Sequence, residues 1–139
     1  MKLASLYELV IMTKKIKTTD GQLQIKISEK FATGKFEFAE MYLADDIKWN
    51  ILGDTSIEGK EQVLEVSKMS QLENFPVLTI KNIVSQGNYV VIECTGEATA
   101  KNGKPYNQVY CDVFRFNEGK LKEVTTYLDT ALSNEVSRF

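Results

Sequence analysis

An α+β domain, with three N-terminal helices packed in the concave face of a strongly curved, mixed and mainly antiparallel sheet, is the fold class this sequence predicts. Three observations lead to it. Between about Gln22 and Leu72 apolar residues recur every three or four positions, the helical period, broken once by a short alternating run. After about Phe75 long alternating runs follow one another through turn sequences, so helices come first and hairpins last. The 139 residues, 43% of them apolar, suffice for one core and give no reason for a second.

The opening stretch Met1 to Met12 is rich in leucine, but Glu8 interrupts it. The basic Lys14, Lys15 and Lys17 follow where a small-residue cleavage site would stand, so residues 1–21 read as a loosely ordered extension rather than an export signal. The domain is expected over 22–132, with a tail over 133–139. Leu23, Ile27 and Phe31, then Phe36, Phe38, Met41 and Tyr42, suggest two helices meeting at Thr33-Gly34. Asp45-Asp46 is expected to end the second. Ile47, Trp49 and Ile51 alternate with polar residues as a short first strand, closed by a turn at Gly53-Asp54. Gly59 then opens a third helix, from Lys60 to about Leu72, with Val63, Leu64, Val66 and Met69 as its stripe. Strands are expected over about Phe75 to Val84, Tyr89 to Ala100, Tyr106 to Phe116 and Leu121 to Leu128, joined by hairpin turns. Strands of that length coil strongly, so the helices close only part of the concavity and a pocket should remain.

Composition removes several functions. A formal charge of −2 gives no overall field toward nucleic acid or anionic membrane, and neither partner is expected. No apolar run reaches membrane-spanning length. Two cysteines, Cys94 and Cys111, both inside apolar runs, are too few for a disulfide framework and indicate a reducing, cytoplasmic setting. Histidine is absent, which removes the commonest metal ligand and the usual base near neutral pH. No metal or organic cofactor is expected, and proton chemistry must run on carboxylates, tyrosines or lysines.

Asp112 is the leading candidate for such chemistry. Alternation puts it on one face with Tyr106, Gln108, Tyr110, Phe114 and Phe116, and a carboxyl among aromatics loses solvation of its charged form. Its pKa should then rise toward the range of a useful general acid or base. The plainer alternative is an open-face aspartate paired with a Lys or Arg. Glu93 and Asp129 are possible companions. Glu93 shares a face with Thr95 and Glu97 that equally suits a solvated outer surface, and Asp129 equally suits a chain-end cap. Trp49 and Ile51 point the same way from the first strand, and Trp49 offers a pocket wall with an N–H donor.

In order along the chain stand Tyr42-Leu43-Ala44-Asp45-Asp46, Trp49, Gly59-Lys60-Glu61-Gln62-Val63, Gly103-Lys104-Pro105-Tyr106, Val113-Phe114-Arg115-Phe116, Glu118-Gly119-Lys120-Leu121 and Tyr127-Leu128-Asp129. This order, over about Gln22 to Leu132, resembles the SnoaL-like polyketide cyclase branch of the nuclear transport factor 2-like, ketosteroid isomerase-like superfamily. The resemblance implies a cone-shaped pocket that serves isomerases, cyclases, epoxide hydrolases and noncatalytic binding proteins alike. On the ketosteroid isomerase pattern Asp112 matches the protonated acid, while Ile27 falls at the tyrosine and Ile51 at the base. On the limonene epoxide hydrolase pattern Asp129 matches one catalytic aspartate, with Thr95 and Glu93 at the other aspartate and the arginine. Both sets are therefore broken, and the single acidic residue of the polyketide cyclases is the pattern least contradicted.

The reading that follows is a pocket protein for a small hydrophobic molecule, an isomerase or cyclase in which Asp112, with Asp129, moves a proton next to a carbonyl. Trp49, Ile51, Glu93, Thr95, Tyr110 and Phe114 are the expected ligand-binding residues. The alternative is a noncatalytic binding or association module of the same fold. The resemblance also implies a homodimer through the outer sheet face, where Ile92, Cys94, Val109, Cys111 and Val113 are expected to offer apolar surface.

Overall fold

The computed structural model describes residues 21–53, 55–69, 77–99 and 103–128. Helix α1 covers 21–32 and buries Ile27, Ser28, Phe31 and Ala32 along one stripe, the face its apolar spacing predicts. It stops as a Schellman motif: the Gly34 N–H donates to the Phe31 carbonyl at 3.1 Å and the Lys35 N–H to the Lys30 carbonyl at 2.8 Å. Gly34 takes φ 78°, a left-handed conformation that a Cβ would strain.

The second helix, α2, is one turn, Phe36–Ala39, continued by a 3-10 turn at Glu40–Tyr42. Here the expected boundary moves. Asp45 and Asp46 do not end a helix but lie inside strand β1, Leu43–Ile51, where both are exposed. The backbone pairing outweighs the turn propensity of two aspartates, because β1 pairs in parallel with the last strand across a register shift between Leu43 and Lys48. Asp46 then closes on Lys122 at 2.5 Å, which lowers its pKa, mainly through that hydrogen bond. Met41, expected on the helical stripe, is exposed instead.

A three-residue strand, β2 (Ser56–Glu58), folds back on β1 and has only Ile57 as an apolar residue, too short a pattern to stand out in the sequence. Helix α3, Lys60–Met69, buries Val63 fully and Leu64 and Val66 in part. Its expected extension to Leu72 lies outside the described residues. Strands β3 (Val77–Gln86), β4 (Tyr89–Thr99), β5 (Pro105–Asn117) and β6 (Lys120–Leu128) follow as successive hairpins. The six-stranded sheet has the order β2-β1-β6-β5-β4-β3, antiparallel except between β1 and β6. It is therefore mixed and mainly antiparallel, and the register shifts in β1/β6, β3/β4 and β5/β6 add to its bend.

The concave face holds the core. Phe31 of α1 is its hub, edge-on to Phe36 at 4.8 Å, Trp49 at 5.0 Å and Phe114 at 5.7 Å between ring centres. The convex face differs from expectation in two residues. Ile92 and Cys94 are buried on the concave side, because Ile92 pairs with Asp112 and Cys94 with Tyr110 and so shares their face. The apolar outer surface consists instead of Val84, Tyr89, Val109 and Tyr127, all exposed, with Val91, Cys111 and Val113 half-buried among them.

Candidate functional site

Strand β5 runs through the middle of the sheet, and its inward positions are Gln108, Tyr110, Asp112, Phe114 and Phe116, all buried. Asp112 faces Ile92 on β4 and Thr126 on β6. It is only 7% exposed, and its Oδ1 is buried without a hydrogen-bond partner among the described residues. Thr126 bonds the carboxyl from β6, and the Thr126 hydroxyl itself accepts the Trp49 indole N–H at 2.8 Å. A Trp49–Thr126–Asp112 chain thus crosses three strands beneath the helices.

Burial pushes the Asp112 carboxyl up from 3.8 to about 6, and the Thr126 hydrogen bond offsets only part of that rise. Near neutral pH the group exists in both forms, as a group that takes and returns a proton must. The neighbouring Cys94 thiol is pushed up to about 12, first by burial and then by the Asp112 and Cys111 charges, so it is no nucleophile at neutral pH.

Beside Asp112 lies a cavity of about 40 Å³, bordered by Phe31, Ala32, Gly34, Phe36, Trp49, Leu78, Cys94, Tyr110 and Thr126. That is room for about three waters' worth of ligand, far below the several hundred Å³ of an ordinary small-molecule pocket. The Tyr110 hydroxyl donates to Gln108 Oε1, which aims the phenol along β5. Two wider depressions, of about 580 and 490 Å³, lie on the surface, one along α1 and α2 and one at the Gly87 and Gly119 turns. Neither is walled by a buried ionisable side chain.

Three of the expected site residues, Trp49, Tyr110 and Asp112, meet at the small cavity. Ile51 and Phe114 are buried core outside its lining. Glu93 and Thr95 stand on the opposite face of β4, and Glu93 Oε1 accepts from the Asn82 side chain at 2.9 Å near solvent. Their side chains cannot reach the cavity, because neighbouring residues on a strand point to opposite faces. Asp129 lies outside the described residues. The sequence reading did not single out Thr126, although a hydroxyl at an inward position of β6, two residues after the buried Val124, was a visible sign. The spacing of Phe31 and Phe36 marks them in the sequence only as helix stripe. Among the described residues no cluster of His, Cys, Asp or Glu converges as a metal cage would, and no helix is long and apolar enough to cross a membrane.

A helix-covered, cone-like sheet with one buried carboxyl at its inner face among the described residues defines an α+β pocket protein of nuclear transport factor 2-like fold. The chain belongs to the SnoaL-like domain family, whose model matches residues 26–124. Among solved structures it is similar to an NTF2-like protein of unknown function from Cytophaga hutchinsonii ATCC 33406, at 28% identity and TM-score 0.72 over 78% of this chain and 97% of that one. It is also similar to an LEH-like epoxide hydrolase of M. tuberculosis, at 18% identity and TM-score 0.64 over 81% and 84%. A third is a hypothetical protein of ketosteroid isomerase-like fold from Catenulispora acidiphila DSM 44928 in complex with trimethylamine, at 16% identity and TM-score 0.61 over 73% and 83%. No curated protein matches the chain.

Proposed function

We propose that the chain binds a small molecule in the cavity at Asp112 and that this carboxyl exchanges a proton with it, as an isomerase or cyclase does beside a carbonyl. The observation that carries the reading is the buried, partnerless Oδ1 next to that cavity. In its ionised form this oxygen is a desolvated base, and water around it is limited by the aromatic wall. Thr126, which borders the same cavity, bonds the carboxyl and leaves Oδ1 as its unpartnered oxygen. Asp129, one residue past the end of β6, is proposed as the second carboxyl. The trimethylamine held by the Catenulispora protein supports small-ligand binding by this fold. The free thiols of Cys94 and Cys111 fit a reducing, cytoplasmic setting.

The cavity admits only a small molecule or the reacting end of a larger one. The test is exchange of α-protons for deuterium in small cyclic ketones, followed by NMR. Wild type is expected to accelerate exchange, with a rate rising through about pH 6 as Asp112 ionises, and Asp112→Asn to lose at least tenfold. Equal rates in the two proteins would remove the proton-transfer reading. One observation favours the noncatalytic alternative, the cavity's size of about 40 Å³, and in that case ligands bind without exchange.

A further inference from the structure

The walls of the cavity are unequal in charge. Asp112 is the only acidic or basic side chain on it among the described residues, and no Lys or Arg borders it. The elements packed against Asp112 present Phe31 and Ala32 from α1, Trp49 from β1, Leu78 from β3, Cys94 from β4 and Thr126 from β6, with Tyr110 beside it on β5. The titratable groups in that set are the Cys94 thiol and the Tyr110 phenol, and neither can carry a positive charge. Above pH 6 the carboxylate therefore stands desolvated, with a buried and unpaired acceptor oxygen and without a counter-ion among these neighbours.

We propose that the cavity takes a small alkylammonium ion, whose N–H donates to Asp112 Oδ1 and whose carbons lie against Phe31, Phe36, Trp49 and Tyr110. Three features select that chemistry. A buried acceptor left unpaired costs the folded state, and a donor ligand recovers that cost. A cation also supplies the missing charge to a carboxylate that folding has already stripped of water, so only the ligand's own dehydration remains to be offset. Aromatic rings attract cations within about 6 Å of their centres, and four aromatic residues border a space only a few heavy atoms wide. Carboxylate ligands are excluded by like charge. Neutral carbonyls find a donor in Asp112 only when it is protonated.

The inference rests on this cavity being the ligand site and holds whether or not a proton is moved there. Trp49 is the single tryptophan, so its indole N–H resonance reports occupancy directly. Isopropylammonium, acetone and isobutyrate, similar in shape and different in charge, are to be titrated into the full chain at about pH 7.5 and about pH 5 by NMR. The expected result is a saturable shift of the Trp49 signal with isopropylammonium at the higher pH. Its apparent affinity should fall about tenfold at the lower pH, as the ionised fraction falls, and should be lost in Asp112→Asn. The pH series on wild type keeps the test valid even if the variant fails to fold. Acetone or isobutyrate binding as well as the ammonium at pH 7.5, or ammonium binding independent of pH, overturns the inference and leaves the cavity standing as a ligand site. Silence from all three overturns the inference and the ligand-site reading together.

Discussion

A carboxyl buried as deeply as Asp112 changes how the whole chain responds to pH. Its folded pKa of about 6 exceeds the ordinary 3.8, so between those values the folded protein keeps a proton that the unfolded chain has released. Stability contributed by this group is therefore fully present below about pH 4 and falls as pH rises toward 6, by roughly 3 kcal/mol in all. Asp112→Asn should melt several degrees above wild type at pH 8, with the gap closing below pH 4. Thermal melts across that range check this, and a constant gap would contradict it. Alternation along β5 already placed Asp112 among buried aromatics in the sequence. The face of Glu93 was equally legible in its polar run Glu93, Thr95, Glu97, while its carboxyl, as a companion to Asp112, and the family resemblance pointed to a pocket role. Thr126 was harder to see, because its role depends on which strand lies beside β5, and pairing partners are not written in a single strand's pattern.

At the level of elements, the end of α1 positions the wall of the site. Phe31 reaches Trp49 and Phe114 from the last turn of the helix, and Gly34 in its left-handed turn directs the chain back so that Phe36 meets Phe31. Gly34→Ala should cost about 1 kcal/mol in chemical denaturation, and Gly34→Asn less, since asparagine tolerates that conformation better. An unchanged midpoint for the alanine variant would show that the turn relaxes freely. The glycine break between the two helices was legible because its chemistry is local. Asp45 and Asp46 misled for the same reason. Their local preference points to a helix end, while the parallel pairing with β6, decided some 75 residues later in the chain, makes them strand. The small β2 carries too few residues for a periodic signal.

For the molecule as a whole, the convex face of the sheet leaves Val84, Val91 and Val113 in register across β3, β4 and β5, with Cys111 and Tyr127 in the adjoining row. We propose that a second copy of the chain covers this surface. Sedimentation should give twice the chain mass for wild type and the single mass for Val91→Lys, whereas a wild-type monomer at micromolar concentration would remove the dimer. The fold class was legible because helix-first, hairpin-last order and strand length survive any error of one or two residues. The size of the cavity was not, since it depends on how far Phe31 and Phe36 sink toward Trp49, a packing outcome that no periodicity records. The proton transfer and the ligand chemistry proposed for this chain depend on the ionisation of one buried carboxyl. The most direct measurement is a carbon-13 NMR titration of the Asp112 carboxyl in wild-type protein, assigned with the Asp112→Asn variant. A midpoint near 6 is expected, whereas a midpoint near the ordinary 3.8 would show a solvated, paired aspartate and contradict the site.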